Sequence, residues 1–137
     1  MAKKTQVKKN DDTLYSKNQC LPDKDNKISE SRVRSQLTRA PEPNDRRKSG
    51  YPHPYMNLNG VILRRESTDS TSYYEYPVTQ KGADYDFDCK PKQNPGAYRG
   101  IVNQNKDYRG TLCHNGEVRK GVNYPNSGDF HLCKKDK

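Results

Sequence analysis

One stretch of the chain, Tyr73 to Val78, has the composition of a β-strand: it reads Tyr-Tyr-Glu-Tyr-Pro-Val, with aromatic and β-branched residues around a single charge. Side chains alternate between the two faces of a strand, so Glu75 shares a face with Tyr73 and Pro77. The other face carries Tyr74, Tyr76 and Val78. Taken alone, Glu75 is typical of the exposed face of a half-buried antiparallel sheet. Its interpretation changes when the other ionisable residues of the chain are considered.

The core of this protein must be small. A chain of 137 residues with 28% hydrophobic residues and a mean hydropathy of −1.36 forms one domain that needs further stabilisation. Ten tyrosines can bury area while keeping a polar end. Four cysteines, at positions 20, 89, 113 and 133, fit no CxxC pattern, and their wide spacing predicts two disulfides in a small secreted protein. Four unpaired thiols in a cytosolic protein are the alternative.

The chain shows no membrane-spanning segment and no signal peptide. No apolar run approaches the ~20 residues that a membrane helix needs. The start, Met1-Ala2-Lys3-Lys4, lacks the hydrophobic region of a secretory signal. We therefore expect the mature form of a secreted protein.

The net charge of +9 points to a polyanionic partner. Basic residues dominate residues 1–50 and 91–137, whereas residues 51–90 are slightly acidic. Nucleic acid is the commonest such partner, and an anionic membrane surface is a second. Ordinary solubility is the alternative explanation, so charge alone does not decide the function.

We predict an α+β domain over residues 20–133, with a basic arm over residues 1–19 and a basic tail over residues 134–137. The arm is expected to be flexible or to form a marginal β-hairpin. Helical spacing of apolar residues occurs only from Asn26 to Ala40, with Ser29 or Asp25 as the cap and Pro41 after the end. This segment is the predicted helix.

Short strands make up the rest of the predicted domain. Besides Tyr73–Val78, they are Val61–Leu63, Tyr98–Asn103, Gly110–His114 and Phe130–Cys133. Residues 82–95 and 115–128 are expected to be loops. His53 lies between two prolines, which favours a stiff, extended segment.

Four residues suit phosphate-ester chemistry without a metal or other cofactor: His53, Glu75, Arg99 and His114. Arg99 and His114 lie 15 residues apart across a predicted hairpin, so both can project from one face. One group would take a proton from the nucleophile, another would give one to the leaving oxygen, and the guanidinium would hold the phosphate charge. RNA supplies the nucleophile as its 2′-hydroxyl, whereas DNA has none.

These residues lie in segments that resemble the fungal guanyl-specific ribonucleases and their larger basic relatives, the ribotoxins. The matching segments are Ser49–His53, Tyr73–Pro77, Asn94–Arg99, the His114 strand and Phe130–Cys133. The stretch from Asp84 through Lys90-Pro91-Lys92 to Gly96 is similar to the ribotoxin form of its loop. The resemblance covers roughly residues 49–133 and implies a microbial ribonuclease fold, with one helix packed on a curved antiparallel sheet.

The resemblance also implies a role for each residue. Glu75 would be the general base, supported by His53, and His114 the general acid. Arg99 would neutralise the phosphate, Tyr51 would donate a hydrogen bond to it, and Phe130 would form an apolar wall. The product would be a 2′,3′-cyclic phosphate, hydrolysed in a second step with the acid and base roles reversed.

Base recognition in the family uses the segment after the first histidine, here Tyr55 to Gly60. Tyr55 is expected to stack on a base, with a core aromatic as the alternative, and Asn57 to shape the pocket. Asn59 stands where the guanyl-specific enzymes have an acidic group, and Leu58 where they have an aromatic lid. Strict guanine preference is therefore not expected.

The cysteines and the last histidine complete the predictions. By resemblance, Cys20–Cys133 matches the terminal bridge of the family and leaves Cys89–Cys113, although the sequence itself permits three pairings. A zinc site from Cys113, His114, His131 and Cys133 has the wrong spacing. His131 is expected to be a surface or structural residue. The loop between His114 and Phe130 is longer than its counterpart in either group.

Two functions remain open at this point. The first is a secreted, metal-independent, monomeric endoribonuclease with ribotoxin-like action on ribosomal RNA in the intact ribosome, which would inhibit translation. The second is a non-catalytic ribonuclease-like effector that binds host RNA or protein. Retention of His53, Glu75, Arg99 and His114 favours the enzyme, because a binding protein has no need of all four.

Overall fold

The computed structural model describes residues 12–57, 60–70 and 72–136. Helix α1 spans Glu30–Arg39 and begins after Ser29, whose hydroxyl accepts a hydrogen bond from the Arg32 amide at 3.1 Å. The helix starts later than predicted because Lys27–Ser29 forms strand β2, which pairs with β1 at Thr13–Tyr15. Within the described residues, no helix is long and apolar enough to cross a membrane.

The central feature is a five-stranded antiparallel sheet in the order β3-β4-β5-β6-β9. Its strands are β3 (His53–Pro54), β4 (Tyr74–Pro77), β5 (Tyr98–Val102), β6 (Tyr108–His114) and β9 (Phe130–Leu132). The last four confirm predicted strands to within two residues at each end, whereas residues 61–63 form no strand. The sheet has one register shift, between Ile101 and Val102. The predicted curvature of the sheet is not evident.

Helix α1 covers one face of this sheet. Gly100 allows the close approach, since a Cβ atom there would lie 3.0 Å from two methyl carbons of Leu37. The core on this side includes two buried tyrosines whose hydroxyls are satisfied. Tyr76 donates to the Pro41 carbonyl at 2.7 Å, and Tyr98 donates to the Asp25 carbonyl at 2.8 Å. Tyrosine thus supplies core area without leaving an unpaired polar group.

The predicted disulfides are absent from the structure, in which no cysteine is bonded to another. The Cys20 thiol donates to the Glu117 carbonyl at 3.2 Å, instead of reaching Cys133. Cys113 and Cys133 are both buried in the helix-side core, where burial raises the pKa of each thiol. The two-bridge prediction therefore fails because the fold gives Cys20 and Cys133 different neighbours.

An ion pair holds the loop that precedes β4 against the end of the sheet. The Arg109 guanidinium donates two hydrogen bonds of 2.8 Å to the Asp69 carboxylate. Asn103 and Tyr73 donate to the same carboxylate at 2.7 and 2.9 Å. The pKa of Asp69 is consequently held well below its usual range, chiefly by Arg109. This loop also brings Leu63 onto the sheet face that α1 leaves uncovered.

Two further elements differ from the sequence prediction. Residues 1–11 of the predicted arm lie outside the described residues, but Thr13–Tyr15 of the same arm is the strand β1, and Tyr15 also bridges to Lys134. Within the predicted loop of residues 115–128, Glu117–Arg119 (β7) and Val122–Tyr124 (β8) form a separate two-stranded hairpin.

Candidate active site

Three neighbouring strands place Glu75, Arg99 and His114 on the sheet face opposite α1. Glu75 on β4 pairs with Ile101 on β5, and Arg99 lies two residues before Ile101. Arg99 in turn pairs with Leu112 on β6, two residues before His114. Cross-strand partners and residues two apart share a face, so all three side chains leave the sheet on one side. Arg99 occupies the middle strand.

Arg99 and Glu75 form a buried pair at the centre of this face. The Arg99 Nε lies 3.3 Å from the Glu75 Oε2, and the two residues are 4% and 7% exposed. Arg99 Nη1 also donates to the carbonyls of Pro95, Gly96 and Tyr98, at 3.2, 2.9 and 3.0 Å. The guanidinium is therefore fixed by the turn that precedes its own strand.

His53 and Tyr51 approach the pair from β3. His53 pairs with Glu75, and its Nδ1 lies 3.8 Å from Glu75 Oε1. The same Nδ1 lies 3.0 Å from the Pro54 carbonyl, which can only accept, so Nδ1 carries the proton. The Tyr51 ring stacks on His53 with 4.6 Å between centroids, and its hydroxyl accepts from Arg99 Nη2 at 3.3 Å.

His114 lies on the far side of Arg99 and is held in one orientation. Its Nδ1 donates to the Gly128 carbonyl at 2.7 Å, so Nε2 is the nitrogen that can exchange a proton. The Phe130 ring stacks on the imidazole at a centroid distance of 4.1 Å. Phe130 also lies 5.7 Å from the Arg99 guanidinium carbon, which makes it an apolar wall between the two groups.

Burial shifts the pKa values of Glu75 and His114 in opposite directions. It raises the pKa of Glu75 above its usual 4.5, although His53 and Arg99 favour the carboxylate. It lowers the pKa of His114 below its usual 6.5, an effect that the Gly128 hydrogen bond opposes. A carboxylate that accepts a proton more readily and an imidazolium that releases one more readily suit proton transfer at mildly acidic pH.

The predicted base-recognition segment is only partly described. Tyr55 meets the Phe130 ring edge-on at 6.2 Å and packs against the apolar cluster under the site, as the core alternative predicts. Its stacking on a base stays a prediction. Asn57 closes its loop: its amide donates to the Val61 carbonyl at 2.9 Å and accepts from the Val61 amide at 2.7 Å. Asn57 thus shapes the loop through its side chain. Asn59 lies outside the described residues.

The structure adds two residues that the sequence analysis did not place in the site. Lys92 lies with its ammonium 5.1 Å from the Tyr51 ring centroid, and Tyr85 meets the same ring edge-on at 6.0 Å. Both come from the loop of residues 82–95. The Lys-Pro-Lys run in that loop was a visible sign of cationic contacts, but nothing in the sequence showed that it reaches Tyr51.

The remaining predicted groups lie apart from this cluster. His131 accepts from the Lys17 amide at 2.8 Å through Nε2 and contacts Asn115 through Nδ1, which gives it a structural role. In the described residues no group of three or more His, Cys, Asp or Glu is placed to hold a metal ion. The site residues Tyr51, His53, Glu75, Arg99, His114 and Phe130 together form the candidate catalytic cluster. A cavity of about 1130 Å³ lies between residues 15–26 and β9, and among the described residues it shares only Phe130 with this cluster.

Comparison with known proteins gives a family. A model of the ribonuclease family matches residues 15–133. A ribonuclease of Arthroderma benhamiae is 39% identical over 74 residues, and guanyl-specific ribonuclease Pc of Penicillium chrysogenum is 35% identical over 68. These segments are 53% and 50% of this chain, and they span only 44% and 58% of the two relatives.

Solved structures extend the likeness to almost the whole chain. Restrictocin, an Aspergillus ribotoxin, is 26% identical with a TM-score of 0.62, over 89% of this chain and 99% of its own. The cytotoxic ribonuclease α-sarcin is 24% identical with a TM-score of 0.61, over 89% and 98% of the two chains, and therefore supports the fold. The helix on an antiparallel sheet that we describe is thus the microbial ribonuclease fold. This chain belongs to the ribonuclease family, and the relatives and structural neighbours that it resembles include fungal guanyl-specific ribonucleases and ribotoxins.

Proposed function

We propose that the protein is a secreted endoribonuclease that cleaves RNA by transesterification at its 2′-hydroxyl. One observation carries this proposal: Glu75, Arg99 and His114 leave the same sheet face from three adjacent strands, with the cation in the middle. A phosphate held by Arg99 would have a carboxylate on one side and an imidazole on the other. In-line displacement at phosphorus needs this arrangement of base and acid.

In the first step, Glu75 takes the proton of the 2′-hydroxyl, and the resulting oxygen attacks the adjacent phosphorus. His53, 3.8 Å from Glu75, supports the carboxylate electrostatically. The Nε2–H of protonated His114 gives its proton to the departing 5′-oxygen. The bond to that oxygen breaks as the 2′,3′-cyclic phosphate forms. Water then opens the cyclic phosphate, with His114 as the base and Glu75 as the acid.

Arg99 and Tyr51 stabilise the charge that develops on phosphate. Nη1 and Nε of Arg99 are occupied by three backbone carbonyls and Glu75, so Nη2, which contacts the Tyr51 hydroxyl, is the end that meets the substrate. A donor that is already oriented needs no reorganisation during the reaction. Lys92, beside Tyr51, adds a second positive charge at the rim.

The finer proposal is ribotoxin-like action on ribosomal RNA, and three observations favour it. The net charge is +9. The fold aligns with restrictocin over nearly its entire length. Restrictocin has also been solved in complex with a 29-mer sarcin/ricin domain RNA analog, at 27% identity and a TM-score of 0.59 to this chain. We extend RNA binding from that protein to this one on the strength of the shared fold.

A direct test compares one RNA and one DNA substrate in the presence of EDTA. Naked RNA should be cut, and the new ends should be 2′,3′-cyclic phosphates when analysed by mass spectrometry. A DNA oligonucleotide of the same sequence should stay intact, because it lacks the nucleophile. Cleavage of that DNA, or RNA products with 5′-phosphates, would rule out the proposed chemistry.

The same assay on intact ribosomes, with Mg²⁺ in place of EDTA so that the ribosomes stay assembled, separates the finer proposals. One discrete ribosomal RNA fragment would identify ribotoxin-like action, and broad degradation a general nuclease. If neither naked RNA nor the RNA of intact ribosomes is cut but RNA or protein is still bound, the protein is the non-catalytic effector.

The opposite pKa shifts predict a narrow, acidic pH optimum. The reaction needs Glu75 ionised and His114 protonated, so the rate rises through the pKa of Glu75 and falls through that of His114. Burial moves the first upward from 4.5 and the second downward from 6.5, so the maximum should lie between these values. Measurement of kcat/KM against pH checks this. A broad plateau reaching above pH 7 would show that these two groups do not set the profile.

A further inference from the structure

The β7–β8 hairpin is the part of the chain that neither the fold nor the catalytic cluster explains. It turns at Lys120-Gly121, with φ of 51° and 77°, as in the type I′ turn of a two-residue hairpin. Val118 and Val122 are each 50% exposed and Tyr124 is 39% exposed. A bare two-stranded hairpin is only marginally stable in water, and exposed valines gain nothing from folding alone. These features indicate a surface that binds something.

The base of the β7–β8 hairpin is fixed to the end of β6, the strand that carries His114. Two residues separate His114 from β7, and Asn115 and Gly116 are tied by their amides to the carbonyls of Asp129 and Ser127, at 2.7 and 3.0 Å. In the segment between β8 and β9, the Gly128 carbonyl accepts the hydrogen bond that orients His114. The position of the hairpin is therefore coupled to the imidazole.

A second contact joins the hairpin to the phosphate-binding side of the site. Asn126 donates to the Asn94 side chain at 3.0 Å. Asn94 begins the Asn-Pro-Gly turn whose carbonyls, from Pro95 and Gly96, hold Arg99. The hairpin thus extends outward from the His114 side of the cluster, with one anchor just after the end of β6 and the other in the turn that precedes β5.

One face of the hairpin has the chemistry of a nucleotide-stacking surface. Register pairs Glu117 with Tyr124 and Arg119 with Val122, so these four side chains share a face. The Arg119 guanidinium lies 4.0 Å from the Tyr124 ring centroid, and Glu117 restrains it at 3.7 Å. A guanidinium stacked on tyrosine presents a flat, charged plane on which a base can stack. Lys120 adds a cation at the tip.

We propose that the β7–β8 hairpin binds the RNA on the 3′ side of the scissile phosphate, with Arg119 and Tyr124 stacking a base and Lys120 contacting a phosphate. This inference rests on the proposed function. His114 protonates the 5′-oxygen of the nucleotide that leaves, so the strand beyond the cut continues from His114. The hairpin is the element that extends from the same side.

RNA fits this surface better than an acidic protein segment. The hairpin is continuous with a site built for phosphate, and its two cations exceed its one acidic residue, Glu117. Stacking tolerates any base, so this surface would make longer RNA bind more tightly without adding sequence preference. The hairpin would then favour cleavage inside a chain over cleavage near its 3′ end.

The test uses chimeric oligonucleotides with one ribonucleotide in a DNA chain, so that only one bond can be cut. Three substrates are compared: a dinucleotide, the same dinucleotide with about six deoxynucleotides added on the 3′ side, and the same with about six on the 5′ side. The ribonucleotide carries the base that is cut best in naked RNA. For the native protein, the 3′ extension should raise kcat/KM by about tenfold.

The main variant is Arg119→Gln/Lys120→Asn, since asparagine tolerates the left-handed conformation that the turn requires. Its kcat/KM on the 3′-extended substrate should fall about tenfold, while its kcat/KM on the dinucleotide should change less than about twofold. Losing the one phosphate contact, that of Lys120, should also flatten the slope of log kcat/KM against log salt by about 0.7 on that substrate. Tyr124→Ala should reproduce the loss of rate without the change in slope.

Lys24→Gln/Lys27→Gln is the matched control. It removes the same charge from two exposed lysines that lie before α1, on the side of the sheet away from the catalytic face. This control should retain the full preference for the 3′ extension. Circular dichroism of each variant verifies that the fold is intact.

The outcomes separate this inference from the proposed function. If the native protein cuts none of the three substrates, the proposed function fails. If it cuts all three but gains nothing from the 3′ extension, the hairpin inference is overturned and the proposed function stands. Equal losses on the 3′- and 5′-extended substrates in the hairpin variant would likewise overturn the inference, because the effect would then be general electrostatics.

Discussion

Glu75→Gln should lower kcat/KM for RNA cleavage by about 10²- to 10⁴-fold, the usual contribution of a general base. Glutamine keeps the shape of the side chain and can still accept the hydrogen bond from Arg99 Nε, now 3.3 Å away. It cannot take a proton from a 2′-hydroxyl. Single-turnover cleavage of a chimeric oligonucleotide with one ribonucleotide would measure the loss directly.

The fold should survive this substitution. Burial of Glu75 penalises its charge, and the neutral amide avoids that penalty. Arg99 keeps its three backbone carbonyls and the Tyr51 hydroxyl as partners. Glu42→Gln, at a side chain that is 71% exposed, provides a matched loss of one carboxylate and should retain full activity. Near-normal cleavage by Glu75→Gln would mean that another group is the base.

The sequence predicted the catalytic face well because that face depends on local rules. Alternation along Tyr73–Val78 separates Glu75 from Tyr74 and Tyr76, and the structure places these tyrosines on the helix side. The short turn between β5 and β6 limits the register, so Arg99 and His114 could be expected to share a face. Two-residue periodicity and a tight turn are both visible in a single sequence.

Contacts between distant segments could not be predicted in the same way. β1 is a three-residue strand in a polar stretch, and its pairing with Lys27–Ser29 has no periodic pattern to reveal it. Asp69 and Arg109 are 40 residues apart, and neither stands in a recognisable motif. The positions of the thiols likewise depend on which segments meet, so neither the spacing of the cysteines nor the resemblance predicted that they are unbonded in this structure.

The β7–β8 hairpin is an intermediate case. Valines at 118 and 122 flank Lys120-Gly121, which is a weak hairpin signal beside the stronger Asn-Gly or Asp-Gly pairs. The nearby Asn115-Gly116 and Pro125-Asn126 favoured a loop. The exposed hairpin lacks the buried face that normally produces a clear alternating pattern, because both of its faces meet solvent.

His114→Ala should lower RNA cleavage by about 10²- to 10⁴-fold, but only when the leaving group needs a proton. In a p-nitrophenyl ester of a ribonucleoside 3′-phosphate, the leaving group is the stabilised p-nitrophenolate. Its departure needs no general acid. On that substrate the variant should retain activity within about tenfold of the native rate. Glu75→Gln should remain impaired on both substrates, because the 2′-hydroxyl must lose its proton in either case.

The comparison assigns the acid by chemistry rather than by loss of activity alone. The pH profile of the native protein gives a second readout: the descending alkaline limb expected with RNA should be absent from cleavage of the activated ester, which needs no general acid. His131→Gln is the matched control, since His131 contacts Lys17 and Asn115 rather than the catalytic cluster. Equal losses on RNA and on the activated ester would show that His114 positions the phosphate or supports the fold. The acid would then have to be sought among other groups on the His114 side of Arg99, because in-line displacement needs it opposite Glu75.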